Sequence, residues 1–116
     1  MESKLELLVK VFADNVIVQI ESDSVVKGNR AAKRYINAWK QLTLEGDEGR
    51  ESLAVLLLHP HPRVRITAAA FLLRYKNSEA KAVLIDIIQN QPDYALEAKQ
   101  CLKNWENGTW QLDPEQ

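Results

Sequence analysis

Apolar residues recur at helical spacing along almost the whole of this chain. Over residues 3–20 they fall at Leu5, Leu8, Val9, Phe12, Val16 and Ile20, one face of an amphipathic helix. The β-branched run Val16-Ile17-Val18 is the weak stretch of that helix, near its end. A second helix over about 25–44 places Ala32, Tyr35, Ile36, Trp39 and Leu42 on one face. Asp47 is the expected N-cap of a third, about 48–58, which must stop before Pro60. His59-Pro60-His61-Pro62 is too rich in proline to be helical and predicts a tight turn, with Pro62 in the first turn of a fourth helix that runs to about Lys76. Ser78, as N-cap, opens a fifth helix that ends near Asn90. Pro92 opens a sixth that continues to about Glu106, and Gly108 stops it.

These helices repeat. Residues 52–75, shifted by thirty positions, fall on 82–105: Leu53 on Val83, Leu57 on Ile87, Leu58 on Ile88, Pro62 on Pro92, Ala68 on Ala98, Leu72 on Leu102 and Tyr75 on Trp105. At another offset Ala32, Tyr35, Ile36 and Trp39 lie over Ala68, Phe71, Leu72 and Tyr75. Each unit is a helix pair whose second helix has a small residue midway, for close approach, and an aromatic at its end, to fill the gap between pairs. Pairs over about 3–44, 47–76 and 78–106, followed by a tail 107–116, predict one domain over 1–116. The expected fold is all-α, a short right-handed α-solenoid of about three helix pairs.

Composition narrows the function. With 46% apolar and 27% charged residues the chain is not disordered, and 15 Lys+Arg against 16 Asp+Glu exclude a globally basic nucleic-acid binder. One cysteine rules out an internal disulfide framework, and there is neither a signal-peptide pattern nor an apolar run long enough for a membrane span. A cytoplasmic protein is expected. No phosphate-cradling glycine loop, nucleophile elbow or Cys/His metal spacing occurs, so no enzyme, cofactor, metal or small-molecule substrate is expected. His59 and His61 read as turn residues. Cys101, in the repeat position of Phe71, reads as an inert core thiol. Trp39 and Trp105 read as packing residues, and Trp110 is placed to seal the C-terminal end.

Charge is segregated although it nearly cancels. Residues 1–23 carry −3, 24–44 carry +5, 45–51 carry −3 and 52–78 carry +4. The positive blocks are Lys27, Arg30, Lys33, Arg34 and Lys40 on the second helix, then Arg63, Arg65, Arg74 and Lys76 on the fourth. In stacked helix pairs second helices share one face, which predicts a basic stripe. Structural uses compete with this: Arg65 reaching a turn carboxylate, Arg50 pairing with Asp47 or Glu51, and Arg74 capping a helix end. The partner-binding set chosen on these grounds is Lys27, Arg30, Lys33, Arg34, Arg63 and Arg74.

The segment Leu53-Ala54-Val55-Leu56-Leu57-Leu58, Pro62, Val64-Arg65, Ala68-Ala69 and Leu72 resembles a HEAT repeat, with a period shorter than usual and no Asp in the turn. A wider likeness runs through Asn29-Arg30, Arg34-Tyr35, Trp39, Gly49-Arg50, Leu57-Leu58, His59-Pro60, Val64-Arg65, Ala68-Ala69 and Leu72-Leu73-Arg74-Tyr75. It continues through Leu102, Trp105, Gly108-Thr109-Trp110 and Leu112-Asp113-Pro114. Over nearly the whole chain this resembles a small bacterial family described only as domain of unknown function two-thousand-and-nineteen. The resemblance implies an all-helical HEAT-like fold and no settled activity. By analogy with small bacterial helical domains, the expected role is a non-catalytic protein-binding module of immunity or antitoxin type that neutralises a protein partner, such as a toxin domain. The alternative is nucleic-acid binding through the basic face.

Overall fold

The computed structural model describes residues 3–110, all-helical among those residues. Six α-helices follow one another: α1 (Lys4–Glu21), α2 (Val25–Leu44), α3 (Asp47–Ala54), α4 (Pro62–Leu72), α5 (Asn77–Asn90) and α6 (Ala95–Glu106), with a 3-10 turn Val55–Leu58 after α3. The chain forms two compact units that divide between Leu56 and Leu57, inside the 47–76 segment expected to be one helix pair. No described helix is long and apolar enough to cross a membrane.

In the N-terminal unit, serines punctuate the chain. The Ser3 hydroxyl accepts the Glu6 N–H at 3.1 Å and starts α1; the Ser24 hydroxyl accepts the Lys27 N–H at 3.1 Å and starts α2. The short linker turns the chain back, so α1 and α2 lie antiparallel. Lys4 at the start of α1 reaches Glu45 after the end of α2, and the Phe12 and Tyr35 rings meet edge-on at 5.4 Å. The β-branched run of α1 stays helical because Val16 is fully buried, so packing outweighs propensity. The core stripe of α2 is Ala31, Ala38, Trp39 and Leu42, with Tyr35 half-buried. The expected face is therefore turned slightly: Ala32 is at its edge and Ile36 is 38% exposed.

Helix α3 packs on both α1 and α2. Its N-cap is Gly46, at φ +68°, and not Asp47, which is the first helical residue and ion-pairs with Arg50. A left-handed turn favours glycine there, so backbone conformation decides where α3 begins. Gly49 is the point of closest approach: a Cβ there would lie 1.9 Å from the Leu42 carbonyl oxygen. Only glycine lets α3 sit on the last turn of α2.

In the C-terminal unit, α5 packs against α4 and α6, and α4 also touches α6. His61 caps α4, its Nδ1 accepting the Arg63 N–H at 3.1 Å, while His59 Nδ1 accepts the His61 N–H at 3.0 Å. Helix α4 stops at Leu72, short of Lys76. The Tyr75 and Lys76 N–H groups both turn back to the Leu72 carbonyl, and the Asn77 side-chain amide donates to Leu73 O at 3.1 Å. Consequently α5 opens at Asn77 with Lys76 as its cap, and Ser78 lies inside the first turn. Pro92 belongs to a turn closed by Tyr94 N–H to Gln91 O, which delays α6 to Ala95. Tyr75, expected to fill the gap between pairs, is 36% exposed. Of the repeat-related pairs, Leu57 and Ile87, and Ala68 and Ala98, are buried in both members.

Candidate functional site

Helix α2 contains five cations and no acidic residue between Val25 and Leu44. Its apolar stripe is buried, so Lys27, Arg30, Lys33, Arg34 and Lys40 are all pushed to the exposed side, over about 20 Å of helix. Lys27 pairs with Asp23 at 3.3 Å, an exposed contact across the helix start. Arg30, Lys33, Arg34 and Lys40 form no ion pair with any described residue. Lys40 joins this face although it stands outside the set of six read from the sequence.

This arrangement runs against helix electrostatics. Arg30 has Lys27 and Lys33 three residues away and Arg34 four away, like-charge neighbours that each cost about 0.2–0.5 kcal/mol. Lysine in the first turn and no basic residue in the last turn also oppose the helix macrodipole. The α2 charges are not placed for stability.

In the C-terminal unit, Arg63 and Arg74 meet groups of the protein itself. Arg63 is half-buried and its guanidinium meets the Glu97 carboxylate at 3.0 Å, tying α4 to α6 across 34 residues of chain. The Arg74 guanidinium lies 5.9 Å from the centre of the Tyr75 ring, a cation–π contact. Arg65 is half-buried and reaches no carboxylate among the described residues; its Nε is buried without a hydrogen bond. Of the six chosen residues, four therefore lie on α2 in one unit, and Arg63 and Arg74 lie in the other.

The remaining chemical candidates have local roles. Both histidines accept backbone N–H groups in the turn before α4, as above. Burial pushes the Cys101 thiol up from 9.0 to about 11, away from nucleophile territory. The Trp110 indole N–H donates to Ala70 O at 2.6 Å, and its ring meets Trp105 edge-on at 5.2 Å, so Trp110 fastens the end of α6 to α4. Leu112-Asp113-Pro114 lie outside the described residues. Among the described residues no group of three or more His, Cys, Asp or Glu could hold a metal ion.

A family model described as a domain of unknown function (DUF2019) matches residues 6–106. No curated protein and no solved structure matches the chain.

Proposed function

The chain belongs to the DUF2019 family, and we propose that it is a non-catalytic protein-binding module whose α2 face docks an acidic surface of a partner protein. The observation that carries this reading is the set of four exposed α2 cations without an ion pair among the described residues, on a helix without a single acid. Such a face gains by meeting complementary charge, which accelerates association and selects the partner. A role of immunity or antitoxin type, acting in the cytoplasm to neutralise a toxin domain, fits a small helical protein built around one such face. We infer HEAT-like stacking of its helix pairs from the thirty-residue repeat, supported by the shared burial of Ala68 with Ala98 and Leu57 with Ile87.

The test is native mass spectrometry on tagged protein purified gently from its own cells, followed by a salt titration. A stoichiometric second polypeptide supports the module. Nucleic acid that leaves steeply with rising salt replaces it with the phosphate-binding reading, which the same cations would serve.

A further inference from the structure

Helix α1 has a second apolar stripe on the side opposite its core face. Leu5, Val9, Phe12 and Val16 turn inward, while Leu7, Val11 and Val18 are 49%, 40% and 45% exposed. With Asp14 between Val11 and Val18, the spacing from Leu7 is four, three and four residues, the seam of a heptad helix pair. Asp14 within the seam and Lys10 on its flank are both exposed, and neither forms an ion pair with a described residue. Lys4 is already engaged by Glu45.

We propose that this stripe docks α1 of a second copy of the chain, antiparallel, about a two-fold axis midway between residues 12 and 13. That register sets Leu7 beside Val18 of the partner subunit and Val11 beside Asp14 of the partner subunit. It also brings Lys10 within one residue rise, about 1.5 Å along the axis, of Asp14 of the partner subunit. Two-fold symmetry makes every contact twice. Asp14, the one polar residue of the seam, thus meets a cation on its own flank. A parallel pairing would set Asp14 against Asp14 within the seam, so charge selects the antiparallel form. The seam offers three apolar side chains from each copy, so the dimer belongs with weak, concentration-dependent interfaces. This surface is separate from the cations of α2 and stands or falls independently of them.

Sedimentation velocity over about 5 to 500 µM protein tests it. The expected result is a concentration-dependent dimer in the wild type. Leu7→Glu raises the Kd at least about tenfold, and Lys10→Glu or Asp14→Lys alone raises it about threefold to tenfold. The double variant Lys10→Glu/Asp14→Lys returns it to within about twofold. Circular dichroism checks that each variant, altered only at exposed positions, keeps its helix content. A monomer at every concentration overturns the proposal, as does assembly indifferent to Leu7→Glu or a double variant no better than the singles. Those results would leave the stripe to a different protein or to solvent.

Discussion

On α2, Arg30, Lys33, Arg34 and Lys40 stand in solvent without an ion pair among the described residues; on α4, Arg63 is drawn onto Glu97, Arg65 is half-buried, and Arg74 after its end lies over Tyr75. In the sequence the two stretches look alike, one carrying +5 and the other +4. The difference arises in packing. The residues of α4 are almost all buried or half-buried, so its long cationic side chains lie along neighbouring surface, and Glu97 on α6 is within reach. Helix α2 has only one buried stripe, and of the acids that follow it Glu45 and Asp47 are engaged by Lys4 and Arg50. Similar blocks of positive charge in the sequence thus end with different exposure because their helices are packed differently.

The comparison can be broken most severely at Gly49. A methyl group there would collide with the Leu42 carbonyl and unseat α3 from the end of α2, so Gly49→Ala should cost about 2–4 kcal/mol. Hydrogen exchange resolved by helix should show the loss in α1–α3. Next in size is the α4 pair. Arg63→Ala removes the tie to Glu97 and, because both partners are partly solvated, should cost only about 0.5–1 kcal/mol in a denaturant melt, less at high salt. Smaller still is the effect of Arg34→Ala on α2. It loses no ion pair with a described residue and relieves repulsion with Arg30, so stability should stay within about 0.5 kcal/mol of wild type.

The smallest effect at neutral pH belongs to Cys101. Its thiol is raised in the folded state from 9.0 to about 11, so the folded protein binds that proton more tightly than the unfolded chain does. The resulting stability is complete below about pH 9 and is lost as pH rises towards about 11. Melting Cys101→Ser beside wild type should therefore give a difference that is flat at neutral pH and shifts against wild type through that alkaline window. Alkylation of the folded wild type near pH 8 should be slow.

Much of the helical order was legible because periodicity and punctuation are local. Phe12, Val16, Trp39, Leu42, Ala68, Leu72, Ile87 and Ala98 are buried where their spacing predicts. Helix ends were less legible. Gly46 displaces Asp47 as the α3 cap because the turn needs positive φ, and α4 stops at Leu72 because Asn77 back-bonds to Leu73. The helix–helix approach at Gly49 was hidden, since a glycine inside a helix looks the same whether it faces solvent or a carbonyl. The candidate site was legible only as charge. Lys27, Arg30, Lys33 and Arg34 could be named from their density on one helix, but nothing local distinguishes them from Arg63, whose partner is 34 residues away. Burial of α4, a tertiary property, makes that distinction.

Partner binding by α2 and cohesion through α4 can be separated in one paired measurement. Tagged Arg30→Glu/Lys33→Glu/Arg34→Glu and tagged Arg63→Ala should each be purified from the native cells, with the bound partner quantified by native mass spectrometry and the melting temperature recorded. The α2 variant should lose its partner and melt like wild type, whereas the Arg63 variant should melt lower and keep the partner. A partner retained by the α2 variant and released by Arg63→Ala would contradict that division of roles.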